Sequence, residues 1–253
     1  MILRGHTEEG HAMIDLYCER TAAGPLAEPV NAATNVAFLI AAWATGRLIR
    51  RAVPCPGVLW TFPALMVCVG LGSGMFHTLA TPWARVLDVL PIVVFQLAYV
   101  WLYARRLLSL GKPGSAAIVS TFLVAALLGR QFPAVLNGSL SYAPAALVIL
   151  GLGAAHCAAG RREPLGLLLA GALFLLAVGL RSVDQVLCEV WPLGTHFLWH
   201  LLAALAMYLA SRAMVLNWPR PGRCPPESSS SIGLAGLQAR VGHEVYKAHG
   251  AGK

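Results

Sequence analysis

Charge is what this chain has least of. Only 12% of its 253 residues are Asp, Glu, Lys or Arg, about half the share of an ordinary soluble domain, and no second, soluble domain is visible. Strand-like alternation is also scarce, which argues against a membrane barrel. Residues 1–28 have no apolar stretch ahead of a small-residue cleavage site, so no cleavable leader is expected there. No strong internal repeat is present. What the chain has instead is apolar length, with 57% apolar residues and a mean hydropathy of +0.66.

Runs able to cross a hydrocarbon core of roughly 30 Å, about 20 residues each, are read near 30–49, 57–77, 86–104, 115–133, 141–159, 165–182 and 195–216. The breaks between them carry turn chemistry, as in 54-PCPG-57, Pro82, 111-GKPG-114, 137-NGS-139, 160-GRREP-164 and 192-PLG-194. Backbone at membrane depth must satisfy its own hydrogen bonds, which favours helices. The expected fold is therefore all-α: a polytopic, seven-transmembrane helix bundle over 29–218, with an acidic loop at 1–28 before it and a disordered tail at 219–253 after it. Basic residues orient the bundle. Arg47, Arg50 and Arg51, then Arg105, Arg106 and Lys112, then Arg161 and Arg162, then Arg212, Arg220 and Arg223 all fall on one side of such a chain. The other side holds chiefly Arg4, Arg20, Arg85 and Arg181. The amino terminus is expected outside and the carboxyl terminus in the cytoplasm, and the net charge of +8 reads as topology, with no nucleic-acid partner implied.

Ionisable residues at membrane depth are costly and mark function by default. His196 and His200 stand four apart in 196-HFLWH-200 and so share one helix face. His77 ends the second span at the same, outer depth. Three imidazoles with an open fourth position are the ligand set of a catalytic zinc. Ser73 lies one turn before His77 in 70-GLGSGMFH-77, placed to donate to a developing oxyanion. Asp88, in 88-DVLP-91, is placed as a partner of a histidine or as a proton carrier; it also reads as a carboxylate favoured at a helix N-terminus. Gly70, Gly72 and Gly74 read as close helix packing. His156 falls at the other end of the bundle and reads as structural.

Acidic residues gather on the outer side too: Glu8, Glu9, Asp15, Glu19, Glu28, Asp88, Asp184 and Glu189. This suggests cation binding there. Within it, Asp15, Glu19 and Glu28 supply hard carboxylates in a short turn-rich loop, which suits calcium and equally suits a solvated acidic loop. Cys18 and Cys188 share this face, and they are the plausible disulfide pair in an oxidising compartment.

Four ordered blocks, 15-DLYCER-20 with 28-EPVNAATN-35, 72-GSGMFH-77, 88-DVLP-91 and 196-HFLWH-200, resemble the alkaline ceramidase family of seven-helix membrane amidases, related to adiponectin and progestin receptor-like proteins. The step of eleven residues from His77 to Asp88 is part of that pattern. The resemblance implies zinc on His77, His196 and His200, catalytic roles for Ser73 and Asp88, and calcium on Asp15, Glu19 and Glu28. One departure is visible: where such ceramidases carry D-W-C-E, here Leu16 and Tyr17 separate Asp15 from Cys18. The short loops and the alanine- and arginine-rich composition look prokaryotic. The reading that follows is an intramembrane zinc hydrolase cleaving the amide of a ceramide-like lipid, its partner in the membrane. The alternatives are a lipid receptor with a structural zinc and, last, a metal transporter.

Overall fold

A computed structural model describes residues 13–22, 24–52 and 57–219 of the chain. The tail beyond Pro219, and with it that expectation, lies outside the described residues. Every regular element described is helical. Seven stretches are long and apolar enough to cross a membrane. The first holds α1 (Pro29–Thr34) and α2 (Val36–Arg51); then come α3 (Thr61–Leu79), α4 (Pro82–Arg106), α5 (Lys112–Arg130), α6 (Ala143–Ala158), α7 (Gly166–Val183) and α8 (His196–Leu216).

Two starts differ from expectation, each for a local reason. Pro82 opens α4 instead of separating two spans, because its fixed φ suits the first helical position and Thr81 caps it, accepting from the Ala84 amide at 3.4 Å. The fifth span reaches back through a 3-10 segment, Val135–Tyr142, in which Leu136, Asn137 and Gly138 all take positive φ. The 137-NGS-139 turn is thus folded into the span's beginning.

The helices form a ring: α4 packs on α3, α3 on α2, α2 on α8, α8 on α7, α7 on α6, and α5 closes it between α6 and α4. Burial grades the members. In α8, 61% of the span is buried, against 11% in α5, where only Ser115 and Phe122 are enclosed. The core, with Phe38, Phe62, Met66, Trp199 and Met214, sits inside the ring, while Ile40, Leu71, Leu90 and Leu175 are exposed, as suits side chains that meet lipid tails. Two glycines let α3 pack close against its neighbours. A Cβ on Gly72 would run into the carbonyl of Leu87, and one on Gly70 would crowd Leu39 at 3.1 Å; Gly74 faces open space. Gly72 thereby lets α3 and α4 touch right beside Ser73 and Asp88.

Candidate metal centre

His77 lies in the last turn of α3, and His196 and His200 in the first two turns of α8; none is more than 2% exposed. One donor atom from each lies within 4.8 Å of the others, and among the described residues this is the one group of three or more such donors that converge. The hydrogen bonds decide the tautomers. His77 Nδ1 stands 2.5 Å from Glu28 Oε2, and a carboxylate only accepts, so Nδ1 carries the proton and Nε2 a lone pair. His200 Nδ1 stands 2.9 Å from Thr34 Oγ1. The Thr34 hydrogen is directed to the carbonyls of Val30 and Asn31, at 2.8 and 3.1 Å, so Thr34 accepts from His200 Nδ1–H. The two Nε2 atoms then face each other at 3.1 Å with lone pairs opposed. That arrangement fits a shared cation, with each outer nitrogen claimed by a partner that fixes the ring. His196 Nδ1 is buried without a hydrogen-bond partner, which adds a third donor that a cation would satisfy. Tyr17 stacks on its ring at 3.5 Å.

Long-range contacts hold the centre in place. Asp184 is fully buried and caps α8: Oδ1 accepts from the amides of Thr195 (2.6 Å) and His196 (2.9 Å), and Oδ2 from the amide of Cys18 (3.1 Å). The hydroxyl of Thr195, the residue just before α8, makes no cap bond and donates to the Leu180 carbonyl at 2.6 Å. Cys18 and Cys188 are joined as the expected disulfide. Gly194, at φ +66°, packs against the Asp184 carboxylate and Cys18, and a Cβ there would strike both. No other residue fits that corner.

Ser73 is buried and faces Asp88. Both line a cavity of about 800 Å³ together with His196 and His200. Four of the five residues assigned to the hydrolytic site therefore border one space, and His77 stands directly behind it. His156 lies at the far end, bonded to the Tyr103 hydroxyl (2.8 Å) and the Arg162 carbonyl (3.2 Å), the structural place expected of it.

The acidic loop is arranged differently from a calcium shell. Glu19 accepts from the amides of Val30 (2.7 Å) and Asn31 (2.8 Å) and so caps α1. Glu28 is 2% exposed and takes Arg20 Nε at 2.5 Å on one oxygen, with His77 Nδ1 and the Asn31 side-chain Nδ2 on the other. Burial alone would raise its carboxyl, but the bond from His77 and the guanidinium of Arg20 outweigh that and hold it below its ordinary range. Asp15 is half-buried, and among the described residues no group of three converging donors is formed with Glu19 and Glu28. The residues do not fit a calcium ion as placed, because the Arg20 guanidinium, only 7% exposed and also donating to the His77 carbonyl at 2.9 Å, stands where the positive charge would be. We expect the melting temperature to be unchanged when calcium is added or chelated at constant zinc and ionic strength. A calcium-dependent rise would show that Arg20 gives way to the ion.

Several roles are not marked in the local sequence. Thr34, Asp184 and the second role of Glu28 depend on partners far along the chain. Arg130, at the end of α5, joins Arg85 and Arg181 in the cavity wall; a charged residue inside the fourth expected span, 115–133, was the available signal. Burial pushes the Tyr17 hydroxyl well above its ordinary range, partly offset by Arg181, so the ring over His196 stays neutral. In comparison with known proteins, the family model described as Ceramidase matches residues 11–218. No curated protein sequence matches the chain.

Proposed function

We propose, because the chain belongs to the ceramidase family of amide hydrolases, that it is a zinc-dependent enzyme cleaving the amide of a ceramide-like N-acyl lipid to a long-chain amine and a fatty acid. The observation that carries this is the pair of opposed Nε2 lone pairs on His77 and His200, beside His196 and opening on a cavity that holds Ser73 and Asp88. Zinc held by the three histidines supplies Lewis acidity toward the amide carbonyl and an activated water. Ser73 donates its hydroxyl hydrogen to the carbonyl oxygen as negative charge collects there. The Asp88 carboxylate takes a proton as water attacks and returns it to the departing nitrogen. Glu28 and Thr34 keep the two rings in the tautomer that presents Nε2, and Tyr17 covers His196. The apolar wall of Leu90, Val93 and Leu127, on α4 and the loosely packed α5, gives an acyl chain a route from the bilayer.

In this reading the site faces the non-cytoplasmic side, with the amino terminus outside, as the arginine distribution favours. The test is release of fatty acid from a panel of N-acyl lipids by the purified protein, scored by mass spectrometry. Release is expected to stop with a chelator and to return with zinc. Zinc-loaded protein that cleaves nothing in the panel would defeat the proposal.

A further inference from the structure

Apart from Asp88, the charged residues that line the cavity are all arginines: Arg85 on α4, Arg130 on α5 and Arg181 on α7. Arg181 is held by neutral groups. It donates to the Asn137 carbonyl (3.0 Å), the Ser139 hydroxyl (2.7 Å) and the Tyr17 hydroxyl (3.4 Å), and its guanidinium stands over Tyr17, Tyr142 and Trp199 at 5.4 to 5.9 Å. These contacts position it, and the only carboxylate in the cavity wall, Asp88, acts on it from a distance and is shared with Arg85. The ion pairs among the described residues lie elsewhere, at Arg20 with Glu28, His77 with Glu28, and Arg212 with Glu163. Arg85 and Arg130 make no ion pair with a described residue, yet both, with Arg181 and Asp88, act electrostatically on the one hydroxyl of Tyr142. Three separate helices thus bring a cation to the same end of one cavity.

That placement has a cost. In the proposed orientation these three oppose the usual bias of basic residues to the cytoplasmic side, and the one carboxylate in the wall, Asp88, acts on both Arg181 and Arg85, so the cavity keeps an excess of positive charge. A packing role accounts for Arg181, which pins the turn before α6, but not for Arg85 or Arg130. All three lie near helix ends, at headgroup depth, whereas the apolar wall of the cavity lies further along α4.

Resting on the hydrolase reading above, we infer that the preferred substrate carries an oxyanion, a carboxylate, sulfonate or phosphate, on its amine half, and that Arg85, Arg130 and Arg181 bind it. A neutral ceramide would leave that charge unanswered. The oxyanion could also be the carboxylate of the released fatty acid, and the experiment separates the two.

Full-length, zinc-loaded protein in mixed micelles is given N-palmitoyl ethanolamine, N-palmitoyl glycine and N-palmitoyl taurine, which share one acyl chain and differ in headgroup charge. The two anionic amides are expected to exceed the neutral one in kcat/KM by roughly tenfold or more, as befits charge-assisted hydrogen bonds. In the Arg85→Gln and Arg130→Gln variants that ratio should fall toward unity, with partial recovery in Arg130→Lys. Cleavage of the neutral amide as fast as the others would overturn the inference and leave the hydrolase reading standing. Should none be cleaved, that reading fails, and the inference is decided by thermal shift. Larger stabilisation by the glycine and taurine amides, lost in the double Arg85→Gln, Arg130→Gln variant, supports it, and equal shifts overturn it. Palmitate stabilising as strongly as the anionic amides would assign the arginines to the product instead and overturn the headgroup assignment.

Discussion

Glu28→Gln will lower both zinc affinity and stability, and the two losses will separate in a second variant. Glu28 sits between Arg20 and His77, accepting from each. Glutamine has one acceptor and one donor. If its NH2 faces Arg20, a buried guanidinium is left without its carboxylate, at about 3–5 kcal/mol. If the NH2 faces His77 instead, it demands a lone pair on Nδ1, which moves the ring proton to Nε2, the nitrogen directed at His200. A ring so protonated cannot bind a metal through that atom. Losing a carboxylate that orients a metal-binding histidine reduces affinity by about 10- to 100-fold. Zinc competition against a coloured chelator, and melting of the same preparation, read the two effects. In the double variant Arg20→Gln, Glu28→Gln the stranded charge is gone, so much of the stability should return while zinc affinity stays low. Wild-type affinity in Glu28→Gln would refute the tautomer argument.

The parts of this protein that follow from local pattern were readable before any coordinates. Seven apolar runs separated by breaker residues led to seven helices, with boundaries shifted where Pro82 acts as a first-turn residue and where 137-NGS-139 coils into a span. The i, i+4 spacing of His196 and His200 and the turn between Ser73 and His77 are helix periodicity, and the fold brings Ser73, His196 and His200, with Asp88, around one cavity. The carboxylates were harder. Their gathering on one face suggested a bound cation, but a carboxylate's role depends on its partner: Glu28 meets His77 across 49 residues, and Asp184 meets Cys18 across 166. Nothing in the neighbouring sequence of Asp184 marks it as the cap of α8 in preference to Thr195. Arg20 was counted as a topological exception and is instead a buried counter-ion. Pairing at such distances is a tertiary outcome that local pattern does not encode.

The largest effect on turnover is expected from the pair that borders the histidines without holding the ion. Ser73→Ala removes one hydroxyl from a buried position and should cut kcat by roughly 10²- to 10³-fold, the usual loss for one oxyanion donor. Asp88→Asn keeps shape while removing the ability to take and return a proton, at roughly 10²- to 10⁴-fold. Gly72 brings the α4 backbone against α3 beside these residues, and asparagine is close to isosteric with aspartate, so helix contact and zinc content should survive. Single-turnover release of fatty acid, alongside elemental analysis of the same samples, tests this. KM should move little in Asp88→Asn, since the proton transfer belongs to the transition state. Full rates in both variants would reduce Ser73 and Asp88 to packing residues. Zinc lost in proportion to rate would make them supports of the metal centre, and the proton relay would have to be sought in another residue of the cavity wall.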